Sequence, residues 1–192
     1  MAETAAPPTP TVTVVDELPD LWLVTPPVHH DHRGLFSVAW HAAAFAEAGL
    51  PPFAQENHSR SRRRVLRGLH FQAPPHGQGK LVRVVHGRVF DVAVDLRRRS
   101  ATFGRWFGTY LDGDEPRWLW VPAGFAHGFL TVSDVADVVY MVTHDYAPAA
   151  EGGVAWDDPD LAIAWPLAAG ASPVLSAKDA ALPRLRDQRS PF

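Results

Sequence analysis

Histidine is the side chain best suited to proton transfer near neutral pH, and one of the ten histidines in this chain lies inside a strand-like run. This is His70, between Leu69 and Phe71. Alternation along a strand places His70 on one face with Gly68 and Gln72, and its apolar neighbours on the other. The pattern fits a general base, and it fits equally a buried histidine whose ring nitrogens form hydrogen bonds with backbone groups.

A lysine follows close behind this histidine. Lys80 comes ten residues after His70, beyond a loop rich in Pro and Gly. A strand pair closing over that loop would bring the two side chains together. Arg67 adds a second cation to the same stretch.

Three further residues could take part in catalysis or binding, and each also has a purely structural explanation. His127 follows a Pro-Ala-Gly turn and could be a strand-start histidine packed against Phe125 and Phe129. Tyr140 lies in an apolar run and could be a core tyrosine with its hydroxyl hydrogen-bonded. Asp179 could be no more than a helix-terminal acid.

The remaining histidines favour structural roles. His29, His30 and His32 could form a metal-binding tract, but a solvated loop is preferred because no second ligand set has matching spacing. His41 and His144 lie in polar surroundings, which predicts surface positions.

The elements that must position these residues are mainly strands. In the run from Phe90 to Leu96, apolar residues alternate with Asp91, Ala93 and Asp95, which predicts an apolar face and an acidic face. The other predicted strands are Leu35–Trp40, Val65–Gln72, Leu81–Val85, Trp106–Leu111, Trp118–Val121 and Val138–Thr143. Many short strands punctuated by Gly, Pro and Asp predict an all-β fold, an antiparallel sandwich or barrel that can hold one ligand.

Only two segments predict helix. Ala42–Ala48 is rich in alanine and ends at Gly49. A second short helix is expected to begin after Ser176 as N-cap, with Asp179 in its first turn and Pro183 beyond its end. Residues 1–10 are rich in Ala, Pro and Thr and are expected to be frayed, and the whole chain, 1–192, is expected to form a single domain.

Composition narrows the functional classes. The net charge is −3 and the pI is about 6.3, which disfavours a nucleic-acid-binding surface; local basic clusters fit an anionic small molecule better. The chain has no cysteine, so disulfides, cysteine metal ligands and a thiol nucleophile are excluded. No signal peptide and no membrane-spanning apolar run are evident, and a cytoplasmic protein is expected.

The first resemblance is to the cupins. Their second motif, Pro-x-Gly-x-x-His, matches Pro122, Gly124 and His127. Where the first motif places a glutamate ligand, seven residues before a glycine, this chain has Lys80, and where it places a second histidine the chain has Gln72. Because a cation would repel a divalent metal, the chain resembles a cupin without metal, and neither metal nor cofactor is expected.

A longer set of motifs resembles the dTDP-4-dehydrorhamnose 3,5-epimerase family. The match runs in order over roughly residues 15–183, so chance is a poor explanation. The matching segments are Asp31–Phe36, Gln55–Ser59, Val65–Gln72, Gly79–Arg83, Gly87–Asp95, Thr102–Gly104, Pro122–Phe129 and Leu175–Ala180.

The resemblance implies a reaction and its catalytic residues. The substrate would be a 4-keto-6-deoxyhexose linked to dTDP, whose protons at carbons 3 and 5 are acidified by the ketone. His70 matches the family's base and Asp179 the carboxylate that orients it. Tyr140 matches the acid on the opposite face, and Lys80 the cation that stabilises the enolate. This set agrees with what proton abstraction beside a carbonyl requires, namely a base, an opposed acid and an oxyanion partner.

The resemblance also implies a binding set and an assembly. Arg67 matches a diphosphate ligand, Tyr146 an aromatic near the nucleotide base, and His127 a histidine supporting the sugar. Arg33 and Phe36 match residues delivered by the partner subunit of a homodimer with a swapped N-terminal strand. The full substrate-binding set is Arg33, Phe36, Gln55, Asn57, Arg67, His127, Tyr146, Glu151 and Lys178.

Two positions depart from the family pattern, and several functions stay open. Val38 stands where many members have Glu, which affects how the thymine edge is read, and Met141 where many have Lys, a change expected at the pocket floor. The expected function is epimerisation at both carbons. The alternatives are a single-carbon epimerase of an antibiotic-sugar route and a catalytically silent nucleotide-sugar-binding cupin. A metal-dependent cupin is disfavoured by Lys80 and Gln72.

Overall fold

The structure, a computed structural model, describes residues 8–188 and 190–192; most of the N-terminal segment expected to be frayed, residues 1–7, lies outside these ranges. Thirteen strands and two short α-helices are present among the described residues. They are β1 (Thr11–Val14), β2 (Trp22–Thr25), β3 (Val28–Asp31), β4 (Gly34–Ser37), α1 (Ala42–Glu47), β5 (Gln55–Arg62), β6 (Leu66–Gln72), β7 (Lys80–His86), β8 (Arg88–Asp95), β9 (Trp106–Asp112), β10 (Trp118–Val121), β11 (Phe125–Thr131), β12 (Val135–Val142), β13 (Glu151–Gly153) and α2 (Ala177–Ala180).

The strands form two antiparallel sheets. One sheet has six strands in the order β1-β2-β10-β7-β12-β5, and the other has five in the order β13-β6-β11-β8-β9. The predicted all-β fold, a cupin-type jelly-roll barrel with short peripheral helices, is confirmed. Strands β3 and β4 pair only with each other, as a separate hairpin.

The core between the sheets is built from alternating side chains of both. In β8, Val89 and Ala93 point into this core with Val82, Leu119 and Phe125. The alternate residues of β8 lie on the opposite face, under the C-terminal segment; the cluster there includes Phe90, Val92, Val94, Leu96, Leu161 and Trp165. The predicted split into an apolar and an acidic face is therefore correct, and both faces are buried because that segment covers the outer one.

The two helices begin and end at the expected kinds of residue. Ser176 caps α2, its hydroxyl accepting a hydrogen bond from the Asp179 backbone N–H. The first helix is followed by Gly49 at a φ of +89°, a conformation that favours glycine. The N-cap of α1 is His41, whose Nδ1 accepts from the Ala44 N–H. His41 is half-buried and His144 is exposed.

Some predicted strand boundaries were wrong. Strand β4 ends at Ser37, not at Trp40, because the chain leaves the hairpin there for the start of α1. Strands β6 and β7 do not pair over the loop between them: β6 lies in the five-stranded sheet and β7 in the six-stranded one. The loop instead carries the chain from one sheet to the other.

Candidate functional site

Two adjoining cavities lie between the sheets, with volumes of about 300 and 290 Å³. They share three lining residues, His70, Lys80 and Tyr140. The first cavity is also lined by Gln55, Asn57, Phe71, Gln72, Gln78, Tyr146 and Glu151. The second is also lined by Ser59, Arg67, His127, Gly128, Phe129, Ser176, Lys178 and Asp179.

His70 and Asp179 form a hydrogen-bonded pair. His70 Nε2 lies 2.5 Å from Asp179 Oδ1, although the two residues are 109 positions apart in the chain. Asp179 is buried, and the Ser176 cap sets its place on α2. Burial lowers the pKa of His70 below its ordinary value, while the charge of Asp179 opposes that shift and the charge of Lys80 adds to it. The ring is therefore neutral at pH 7 and able to accept a proton.

Lys80 lies beside this pair at the start of β7. Its ammonium donates a hydrogen bond to the His70 carbonyl oxygen at 3.2 Å, so the two residues do meet as predicted. Burial lowers the pKa of Lys80 to about 8, although the charges of Asp91 and Glu151 oppose the shift. Lys80 is thus mostly cationic at pH 7, with its ammonium directly beside His70.

Tyr140 reaches the same cavities from β12, where its backbone is in register with Asn57 on one side and Val82 on the other. Burial raises the pKa of its hydroxyl above 10, with the charge of Arg67 opposing the shift. The hydroxyl therefore keeps its proton over the whole neutral range. A neutral histidine and a protonated tyrosine in one cavity supply a base and an acid at the same pH.

His127 has a buried carboxylate behind it. Its Nε2 lies 2.9 and 3.1 Å from the two carboxylate oxygens of Asp91, and both residues are buried. The pair holds the ring in one orientation at the cavity wall, opposite His70 in the register of β11 and β6. Asp91 was missed as a site residue, although the acidic face predicted for β8 already pointed to it.

The other predicted binding residues divide between the two cavities. Arg67 donates from Nε to the Ser61 hydroxyl at 3.0 Å, which holds its guanidinium at one end. Gln55 donates to Asn57 at 2.6 Å. Sequence reasoning missed Ser61 because a serine in a polar run carries no distinguishing pattern.

A chain of polar contacts borders the first cavity. The Tyr146 hydroxyl donates to Glu151 at 2.7 Å, and Lys178 forms an ion pair with the same carboxylate. Burial alone would raise the pKa of Glu151, but the hydrogen bonds from Lys178 and Tyr146 bring it below its ordinary value. Tyr146 itself is 52% exposed.

Two predicted site residues do not join this group within the chain. Arg33 is exposed and pairs with Asp31, and the Phe36 side chain is 66% exposed. Both lie on the β3–β4 hairpin, and neither lines either cavity. His29 and His30 are exposed on the same hairpin, and within residues 8–188 and 190–192 no three His, Asp or Glu side chains are grouped to hold a metal ion.

Met141 and Val38, the two positions that depart from the family pattern, both lie outside the cavity linings. Met141 packs on the outer side of its sheet with Phe45, Trp118 and Trp120, so the prediction that it alters the pocket floor was wrong. The reason is alternation: Tyr140 faces the cavity, so its neighbour must face away. Val38 is half-buried just after β4 and lines neither cavity.

The fold and these side chains define a cupin-type acid–base enzyme. Residues 16–187 match the family model described as dTDP-4-dehydrorhamnose 3,5-epimerase. The enzyme of that name from Salmonella typhimurium is 46% identical over 176 residues, which is 91% of this chain and 95% of that protein. The one from Pseudomonas aeruginosa is 51% identical over 164 residues, 84% of this chain and 89% of that protein.

Solved structures that are similar to this chain point to the same family. A dTDP-6-deoxy-D-glucose-3,5-epimerase from Legionella pneumophila, in complex with dTDP-4-keto-L-rhamnose, superposes with a TM-score of 0.87 at 44% identity and covers 92% of this chain and 93% of its own. A 3′-monoepimerase from Streptomyces bikiniensis, in complex with dTDP-quinovose, has a TM-score of 0.83 at 38% identity, with coverages of 90% and 87%. The chain belongs to the dTDP-4-dehydrorhamnose 3,5-epimerase family and is an epimerase.

No helix in the described part of the chain is long and apolar enough to span a membrane.

Proposed function

We propose that this enzyme epimerises dTDP-4-dehydro-6-deoxy-D-glucose at carbons 3 and 5 to give dTDP-4-dehydro-L-rhamnose, without a metal or other cofactor. The observation that carries the proposal is the group formed by His70, Asp179, Lys80 and Tyr140 around two joined cavities. A substrate whose acidic C–H bonds flank a ketone is the kind that such a group can deprotonate.

Each residue has one part in the proton transfer. The neutral His70 ring removes the proton beside the C4 ketone, and Asp179 stabilises the imidazolium that forms. The electron pair moves onto the ketone oxygen, where the Lys80 ammonium stabilises the enolate. Tyr140 then delivers its proton to the opposite face of the same carbon, which inverts it. Before the second carbon reacts, the His70 imidazolium releases the abstracted proton to solvent and the Tyr140 phenolate takes up a proton from solvent, so that base and acid are both restored.

The remaining residues bind the substrate in this proposal. Arg67 takes the diphosphate, since Ser61 already holds its guanidinium in place. Tyr146 contacts the nucleotide base. His127 supports the sugar from its fixed orientation on Asp91. Gln55, Asn57, Glu151 and Lys178 complete the polar lining of the two cavities.

A homodimer with exchanged N-terminal strands is part of the proposal. It is supported by two features of the single chain: β5 is an edge strand beside the cavities, and the β3–β4 hairpin pairs with neither sheet. In such a dimer Arg33 and Phe36 of one subunit would border the other subunit's cavity. The proposal further treats residues 1–192 as one domain and places the enzyme in the cytoplasm, as a chain without cysteine allows.

The proposal is tested by proton exchange with solvent. Purified enzyme incubated with the 4-keto-6-deoxyglucose nucleotide in heavy water is expected to place deuterium at both carbon 3 and carbon 5. Mass spectrometry and NMR of the product locate the label. Label at one carbon only would identify a mono-epimerase, the alternative that the Streptomyces bikiniensis relative favours. Absence of deuterium at both carbons would indicate a catalytically silent protein that binds nucleotide sugars.

The pH dependence of the reaction follows from the two perturbed pKa values. His70 must be neutral, so kcat/KM is expected to rise as pH increases through its lowered pKa. Lys80 must be charged, so kcat/KM is expected to fall above pH of about 8. In Lys80→Arg, whose guanidinium stays charged, the residual activity should lose this alkaline fall. An alkaline fall that persists unchanged in Lys80→Arg would assign it to another group.

A further inference from the structure

Gln72 is one of the most fully engaged polar side chains in the site. It is buried, at 4% exposure, and its amide makes three hydrogen bonds. Nε2 donates to the carbonyl oxygens of His76 at 2.8 Å and Asp145 at 3.2 Å, and Oε1 accepts from the Ala147 N–H at 2.7 Å. Both amide hydrogens are therefore in use, so the amide has no donor left for a substrate.

These partners belong to two loops that each place a residue, Gln78 or Tyr146, in the lining of the first cavity. His76 lies in the loop that crosses from β6 to β7, while Asp145 and Ala147 flank Tyr146 on both sides. One buried side chain thus ties the crossing loop to the segment that presents the aromatic ring. Because buried hydrogen bonds to backbone groups are lost together when their shared partner is removed, the loss of this amide would free both loops at once.

Tyr146 is exposed, yet hydrogen bonds fix both its backbone and its hydroxyl. Its N–H donates to Gln55 Oε1 at 3.2 Å and its hydroxyl donates to Glu151, while Gln72 holds the backbone before and after it. An aromatic ring fixed in place while still exposed binds a flat partner without having to be ordered first. The arrangement is that of a preorganised stacking surface.

We infer that Gln72 is a positioning residue for the nucleotide end of the substrate, acting through Tyr146. It occupies the place where the cupin motif has a second metal-binding histidine, and here that position links the loop after β6 to the segment around Tyr146. The inference rests on the proposed contact between Tyr146 and the nucleotide base. It assigns Gln72 to binding affinity and gives it no part in the proton transfer at His70.

A double-mutant cycle on dTDP binding tests this inference. The variants are Gln72→Met, which keeps the side-chain length but removes all three hydrogen bonds, Tyr146→Ala and the double variant. Calorimetric titration with dTDP is expected to show about a tenfold or larger loss of affinity for Tyr146→Ala, in line with the stacking of a base on an aromatic ring. Gln72→Met should lose a comparable amount, and the double variant should bind no more weakly than Tyr146→Ala alone.

Kinetics separate this role from a general structural one. Gln72→Met is expected to raise KM by about tenfold while changing kcat by less than about threefold, because His70, Lys80 and Tyr140 stay in place. If Gln72→Met does not fold, the same cycle is run with Gln72→Glu, which keeps the acceptor for Ala147 but loses both donated bonds. Gln188→Met, near the C-terminus and away from the cavities, controls for the substitution itself.

Three results would overturn the inference. They are additive losses in the cycle, unchanged dTDP affinity in Gln72→Met or Gln72→Glu, and unchanged affinity in Tyr146→Ala, which would leave Gln72 nothing to act through. None of these results bears on the proposed epimerisation, which is tested separately by deuterium labelling with the wild-type enzyme.

Discussion

His70→Ala is expected to abolish deuterium incorporation at both carbon 3 and carbon 5, with a fall in kcat of at least about 10³-fold, the scale of a lost general base. In the proposed reaction His70 provides the ring nitrogen that accepts the proton, while its Nε2 pairs with Asp179. Both carbons should lose label together if one base serves both. Label in the product and in recovered substrate, followed by mass spectrometry, measures the effect.

A matched histidine–aspartate pair on the outside of the same barrel provides the control. His58 lies 2.9 Å from the buried Asp137, but its side chain is 58% exposed and faces away from the cavities. His58→Ala should keep near-normal exchange, which shows that losing a histidine from such a pair does not by itself stop the enzyme. Near-normal exchange in His70→Ala would remove that residue from the role of base.

Lys80→Met is expected to lower kcat by about 10²- to 10³-fold with a much smaller change in KM, because an oxyanion partner acts mainly in the transition state. The protein should remain folded. Lys80 is buried with a backbone carbonyl as its hydrogen-bond partner, so an apolar side chain of similar length removes a desolvated charge rather than a strong ion pair. Steady-state kinetics together with thermal unfolding measure both effects.

The same substitution at the other lysine of the site separates chemistry from binding. The Lys178 side chain is 52% exposed and pairs with Glu151. Lys178→Met is expected to raise KM and leave kcat nearly intact. If Lys80→Met instead raised only KM, Lys80 would bind substrate without stabilising the enolate.

The parts of the fold that the sequence predicts best are those where apolar residues alternate. Strand β8 follows that pattern, β10 is a short continuous apolar run, and α2 was predicted from its cap at Ser176. Alternation also placed His70 on the cavity face, away from Leu69, whereas Phe71 packs in the outer core and also borders the first cavity. Ordered motifs added Tyr140 and Asp179, which no local pattern could connect because their contacts cross the whole chain.

Other features were invisible to pattern reasoning for physical reasons. Strand β5 is polar on both faces, Gln55 to Arg62, since one face lines the cavities and the other is exposed, so it shows no hydrophobic period. The placement of β6 and β7 in opposite sheets depends on long-range pairing with β11 and β12. Burial of the acidic face of β8 depends likewise on the opposite sheet, which hid the role of Asp91.

The segment that carries Asp179 is pinned at both ends by main-chain hydrogen bonds. Val174 exchanges bonds with Arg64 and Leu66, and the Pro183 carbonyl accepts from Ala155. The carboxylate is thus confined to a short closed loop against the barrel. Because that loop holds the carboxylate beside the His70 ring, its effective concentration there is far higher than the concentration of a free carboxylate in solution. The four-residue helix α2 would be marginal alone, yet the two anchors of its segment keep Asp179 beside His70.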